Sequence, residues 1–482
     1  MSNFKYKNLD YTVFVVLFIG FIFLFFPTSN STLDSFHYAN CVRDANLFKP
    51  HHLLYNAFPY IFTNLFNIND TLAFLCTMNA VFATFCLFIT RSVLLHYKDI
   101  KETALFVLLL GSCFGFIRFS IDGETYILPL FFSLCASYSA LKKKSVFLIS
   151  FFAATACLFH QMFILWWFGL YLFIFLEYRD KRFNNFLIYF STALIIPIAY
   201  FLVFYLTEHD ANNIIEYVLH DYIKYEGVEV SFKSTNLFFI PINLIRTFIQ
   251  VHGYFIPLFQ QYTLLFILGA VSVVFFILAL FKVKNSVSKK FSISSFDSNY
   301  AFAHLVIFFL HLLFACISDG NAEFMYMLPF LFTIWLAVKY NVNKKLTAYF
   351  SIGLFTWNFC FGIIPFHFIQ LSPDKIFVDY IAAHPTETYF VKDRNLTSSL
   401  LEYYYPEKEI EIHSIKKIDT LTVSNKSVLT DVIWNDRFAS RANIITGYNK
   451  SLETEYKLEV VDVLKYDLGE LKIVRMSIES PN

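Results

Sequence analysis

The sequence predicts a polytopic α-helical membrane protein with a small α/β domain at its C-terminal end. Three observations carry that prediction. Of 482 residues, 57% are hydrophobic, 20% aromatic and only 16% charged, against about 25% charged in an ordinary soluble chain. Apolar runs recur from residue 11 onward at or near the roughly 18–20 residues that cross a bilayer. From about residue 371 charges become frequent and the runs shorten. The net charge of +1 supplies no basic field for nucleic acid.

Taken in order, the first span is 11–27. Lys5 and Lys7 precede it and no small-residue cleavage site follows, so it reads as a retained signal anchor. The polar stretch 28–60 comes next, and residues 52–66, too short and too polar to cross, read as an interfacial helix. Ten further spans are placed at 71–95, 103–121, 125–141, 145–159, 162–177, 185–206, 256–281, 300–318, 324–338 and 346–368. Residues 236–252, with Pro241 and Arg246, read as interfacial or re-entrant. Seven of the eight cysteines lie in apolar runs and no CxxC occurs, which argues against a disulfide framework.

Charge tests this arrangement of about 11 transmembrane helices. With the N-terminus in the cytoplasm, every inner loop carries Lys or Arg: 91–101, 142–144, 179–182, 282–290 and 339–345. The outer loops 122–124, 207–229 and 319–323 are acidic. That is the positive-inside pattern, and it holds only if 52–66 and 236–252 do not cross. It makes residues 1–370 a membrane domain of the cell (inner) membrane and residues 371–482 an extracytoplasmic domain. In the latter, segments 387–393, 409–415, 427–434 and 471–478 read as strands, and 374–384 and 396–405 as helices.

The informative polar residues gather on the outer face. Asp34, Arg43, Asp44, Lys49, His51 and His52 lie in the first outer loop, Arg118, Asp122 and Glu124 at the second, His160 at the third and Glu323 at the fifth. Acids, histidines and arginines at the lip of a helical bundle suit a reaction on a lipid-borne substrate. Such a reaction needs a base for an acceptor hydroxyl and cations for a phosphate leaving group. His304 and His311, seven apart on one helix face, read instead as polar glue inside the bundle. His51 and His52 also suit anchoring of the helix that follows at the headgroups, and Asp34 also suits a helix N-cap.

Four short motifs then resemble the C-type membrane glycosyltransferases (GT-C). They are T-L-D-S-F-H-Y (Thr32 to Tyr38), K-P-H-H-L-L-Y (Lys49 to Tyr55), D-G-E-T-Y-I-L-P-L (Asp122 to Leu130) and E-F-M-Y-M-L-P-F-L (Glu323 to Leu331). The resemblance covers most of the membrane part in layout. It implies a sugar moved from a polyprenyl-phosphate carrier to an extracytoplasmic acceptor at a bacterial membrane, with Asp34 as the base. Arg118 and Arg246 would hold the phosphate through the guanidinium fork, with Lys49 and Arg43 as alternatives. Tyr38, His52 and His160 join them as substrate-binding candidates. Asp122, Glu124 or Glu323 would orient sugar hydroxyls or a divalent metal. The first loop has no Asp-x-Asp pair, since Asp34 stands beside Ser35 and Asp44 lies ten residues on, so a metal is an option and not a requirement. A transporter or flippase would also be polytopic, but would set charges near mid-depth. A polysaccharide polymerase or ligase would place Arg or His in loop 207–235, which is mainly acidic.

Overall fold

The computed structural model describes residues 10–207, 209–220, 234–251, 254–284, 286–290, 292–318, 320–415, 428–431 and 457–477. Glu208, Asp221, Glu226, Glu229, His252 and Asp319, with the last residues of the 427–434 strand, fall outside them. Every one of the eleven predicted spans is helical. Among the described residues, six helices are long and apolar enough to cross a membrane: Thr71–Leu94, Arg179–Leu206, Thr263–Leu280, Ser295–Ile317, Ala322–Lys339 and Lys344–Phe368. A seventh is a bent pair, and shorter apolar helices occupy the four remaining positions. The predicted interfacial segment is the short helix Ala57–Leu65, with Ile61 and Leu65 exposed. Residues 236–252 lie mostly in the helix Ser234–Phe248, which contains Pro241.

The chain divides into two compact units. The first comprises residues 1–28, 41–252 and 264–364. Its helices approach closely where side chains are small. Gly20 faces Thr84, and Gly169 faces Ile307 so tightly that an added Cβ would collide with the isoleucine. Asp10 caps Tyr11–Phe25 by accepting from the Thr12 N–H, and Arg91 of Thr71–Leu94 pairs with Asp10.

The predicted third span is not straight. Ile100–Gly111 and Phe114–Ser120 meet at 67°. A break inside an apolar span frees backbone groups that lipid cannot satisfy. Here the buried Asn358 meets one of them: its Nδ2 donates to the Ser112 carbonyl at 2.6 Å, and it ties the break to the end of Ser234–Phe248 by donating to the Phe248 carbonyl at 2.6 Å and accepting the Gln250 N–H at 2.8 Å. The break aims the short half-helix, and with it Arg118.

At the opposite end of the first unit, three predicted inner loops meet. The strand β1 (Val287–Lys289) pairs antiparallel with β2 (Tyr340–Val342). Lys98 Nζ donates to the Tyr340 carbonyl at 2.6 Å, Lys290 Nζ to the Ala337 carbonyl at 2.9 Å, and Tyr97 to Asp297 at 2.9 Å. Hydropathy signalled neither strand.

The second unit comprises residues 29–40, 253–263 and 365–482. Its five-stranded sheet runs β4-β3-β5-β7-β6, with β3 (Tyr389–Val391), β4 (Ile412–Ser414), β5 (Val428–Thr430), β6 (Lys457–Tyr466) and β7 (Gly469–Ser477). β3 lies parallel to β4 and β5, and β7 antiparallel to β5 and β6. The helices Asp374–Ala383 and Arg394–Tyr404 match the predicted ones. The first-loop segment is tied to this unit at both ends. Asn30 bonds the Phe366 and Ile369 carbonyls and the Leu371 N–H, and Asn40 Nδ2 donates to the Ser399 carbonyl.

Candidate functional site

In the first unit, side chains from four outer loops meet at the ends of apolar helices. The second-loop motif supplies the centre. Arg118, on the half-helix beyond the break, pairs with Asp122 at 2.9 Å, the acid being fully buried. Residues 121–130 are all buried, so their backbone needs internal partners. Asn79, a lone amide in an apolar span, donates to the carbonyls of Asp122 and Glu124, both at 2.7 Å. The Tyr55 hydroxyl reaches the carbonyls of Gly123 and Glu124 at 3.0 Å. The loop carrying Asp122 and Glu124 is therefore fixed by groups from two other segments.

Tyr126 joins this centre to the other loops. Its hydroxyl donates to Glu323 Oε2 at 2.9 Å, and its carbonyl accepts from Tyr326. Its ring lies 5.3 Å from that of His160, which in turn lies 4.5 Å from His52. His160 is buried. The Met162 N–H donates to its Nδ1 at 3.3 Å, which leaves the ring proton on Nε2. Burial, reinforced by the neighbouring His52 and His51 rings, pushes its pKa well below the ordinary 6.5. Nε2 has no hydrogen-bond partner among the described residues. His51 is buried and His52 half-buried, so the pair turns inward against His160 instead of anchoring a helix at headgroups.

The third loop also holds the first. The Gln161 N–H donates to the His51 carbonyl at 3.1 Å, and its side chain donates to the Pro50 carbonyl at 3.0 Å and the Val218 carbonyl at 2.9 Å. Gln161 and Tyr200 form the polar end of an otherwise apolar groove of about 520 Å³, lined by Ile164, Ile196, Ile214 and Val218 among others.

Arg246 is exposed and bonds Asn243 Oδ1 at 3.2 Å. Asn243 in turn donates to the Gly320 carbonyl, in the fifth outer loop. Arg43 is engaged by Asp44 through two 2.7 Å bonds. Of the mid-span histidines, His304 bonds the Tyr300 carbonyl and the Ser137 hydroxyl, as expected of polar glue, whereas the buried His311 has neither ring nitrogen hydrogen-bonded among the described residues. Among the described residues, no group of three His, Cys, Asp or Glu side chains is placed to hold a metal ion.

Asp34 and Tyr38 belong to the second unit. The helix Leu33–Arg43 is capped by Thr32, whose Oγ1 accepts the Ser35 N–H at 3.2 Å. Asp34 sits in the first turn, exposed. Phe36 and Tyr38 face inward, Phe36 against Tyr403 and Tyr404.

Sequence reasoning passed over Tyr126, Asn79, Gln161 and Tyr326. Asn79 carried a usable signal, because an amide inside an apolar span needs a partner. Tyr126 and Tyr326 lie inside two of the quoted motifs, but nothing set them apart as site residues in a chain with 30 tyrosines.

No family model matches the sequence, and no curated protein matches it. Among solved structures the chain is similar to the crystal structure of ArnT from Cupriavidus metallidurans in the apo state, with a TM-score of 0.41 and 10% identity over 96% of this chain and 97% of that one.

Proposed function

We propose that this protein is a membrane glycosyltransferase that moves a sugar from a polyprenyl-phosphate carrier to an extracytoplasmic acceptor. The observation that carries this reading is the meeting of His52, Tyr126, His160 and Glu323, from four outer loops, at helix ends next to the Arg118–Asp122 pair. A polar centre at one lip of the bundle, beside an apolar groove whose polar end is Gln161, suits a substrate with a hydrocarbon tail and a polar head. A transporter would need its charged groups near mid-depth.

In the proposed reaction Asp34 takes the proton of the acceptor hydroxyl as that oxygen bonds to the anomeric carbon. The bond from that carbon to the lipid phosphate breaks, and the phosphate leaves with the electron pair. Arg118 and the exposed Arg246 stabilise the leaving phosphate, and Glu124 and Glu323 orient sugar hydroxyls. Asp122 holds the Arg118 fork ready. Thr32 caps the helix that carries Asp34. The N-terminus is assigned to the cytoplasm and the second unit to the outside.

The test is transfer by membranes carrying the protein, supplied with a panel of polyprenyl-phosphate sugars. Asp34→Asn should lose at least about 100-fold in rate, the lower bound for a positioned general base, with expression and melting unchanged. Full activity in that variant removes Asp34 as base. Arg118→Lys keeps the charge but not the fork, and should raise the donor KM about tenfold. Arg118→Ala is the poorer probe, because an orphaned buried Asp122 costs about 3–5 kcal/mol of stability by itself.

A further inference from the structure

The second unit contains a cavity of about 360 Å³ that the proposed reaction does not use. It is built from the first-loop segment, the stretch 367–375, the helix Arg394–Tyr404 and the turn between β6 and β7. Its size falls within the range of small-molecule sites.

Its wall chemistry is one-sided. Two carboxylates line it. Asp374 is held by the Ser372 hydroxyl at 2.6 Å, and Asp467 accepts the Gln370 N–H at 2.6 Å. Burial pushes the Asp374 carboxyl up, with the nearby Asp393 adding to the effect. The lysine in the wall does not offset these acids: Lys375 pairs with Asp379 and lies 4.3 Å over the Tyr404 ring. Asp379 also accepts the Tyr405 hydroxyl at 2.7 Å. The Gln370 side-chain amide and the Ser31 hydroxyl line the cavity and make no hydrogen bond among the described residues. Phe368, 63% exposed, lines the cavity with its ring edge-on to that of His367 at 4.4 Å.

Two wall acids, beside the His367 ring and a lysine committed to Asp379, disfavour phosphates, uronates and other anions, and Lys392 opposes this only in part by acting on Asp374 from outside the wall. Paired acceptors, an amide that both donates and accepts, a hydroxyl and an exposed ring together match a sugar, which offers hydroxyls around its rim and C–H bonds on its face. We infer that this cavity is a carbohydrate subsite that holds a non-acidic sugar residue of the acceptor glycan, through Asp374, Asp467, Gln370 and Phe368. The ligand class is independent of the chemistry at Asp34. Its assignment to the acceptor rests on the proposed transferase reading.

The test is direct binding to the full-length protein in nanodiscs, by saturation-transfer NMR and microscale thermophoresis, with maltose, glucosamine and glucuronic acid as probes. Maltose and glucosamine should bind saturably, and glucuronic acid at least tenfold more weakly. Gln370→Ala and the exposed-site change Phe368→Ala should each weaken maltose at least fivefold with melting unchanged, and Asp374→Asn should narrow the gap between glucosamine and glucuronic acid. Asp34→Asn should bind all three as the parent does. Absence of binding by maltose and glucosamine, tighter binding by glucuronic acid, or unchanged affinity in Gln370→Ala and Phe368→Ala each overturns the subsite. If binding follows this pattern while every polyprenyl-phosphate donor is refused, the subsite stands and the transferase reading falls.

Discussion

At the scale of single residues, His160 joins the first, second and third outer loops. Its ring stands between His52 and Tyr126, and its proton lies on Nε2. A neutral imidazole N–H in a buried site donates without bringing a charge that would need its own counter-ion. That neutrality has a measurable consequence. The folded pKa lies well below 6.5, first because of burial and then because His52 and His51 adjoin it. As pH falls below about 6.5, the unfolded chain binds a proton that the folded chain refuses. Stability is therefore complete above that pH and declines on acidification, by at most about 1.4 kcal/mol per pH unit for one proton. Thermal melts between pH 7.5 and 5 should show this decline, and His160→Gln should flatten it. An unaltered profile in the variant would assign the pH sensitivity to other groups.

At the scale of elements, the break at Ser112 and Cys113 determines where Arg118 points. Asn358 meets the Ser112 carbonyl at the break and ties it to the Phe248 carbonyl and the Gln250 N–H, and its own helix turns from α to π immediately after it, over Phe359–Ile363. Asn358→Leu keeps the size but leaves those groups unsatisfied, each costing about 1–3 kcal/mol. The variant should melt measurably lower and raise the donor KM, whereas Asn358→Gln, which keeps an amide, should recover part of both. A leucine variant with parental melting and kinetics would show that the break is held by other contacts. The break was not legible in the sequence because its partner lies 246 residues away and no proline marks it. The helix positions were legible, since hydropathy reports each of them locally. The strand β6 was not: its register shifts between Val460 and Asp462, so the period-two alternation that reveals a strand goes out of phase midway. Asp122, His160 and Glu323 were legible as polar groups beside apolar runs. Tyr126, which links two of them, was hidden among other aromatic residues.

At the scale of the whole molecule, the loops sort themselves by contact. The first unit brings the first, second, third and fifth predicted outer loops together through His52, Tyr126, His160 and Glu323. It brings three predicted inner loops together through Lys98, Lys290 and Tyr340. Had the segment 52–66 crossed the bilayer, each later loop would change sides, and first-loop His52 could not share a membrane face with third-loop His160. The contacts thus repeat, independently of charge, the partition that the lysine clusters gave. The proposed orientation puts the lysine-rich end in the cytoplasm. The prediction is therefore specific. In intact cells, a membrane-impermeant maleimide should label cysteines introduced at the exposed positions Asp34 and Glu470, and should label those at Lys143 and Lys344 only after permeabilisation. Labelling of Asp34 and Lys143 from the same side would break the alternation of spans between them. Labelling of Lys143 and Lys344 from outside with Asp34 protected would invert the protein, and would place the proposed chemistry on the cytoplasmic face.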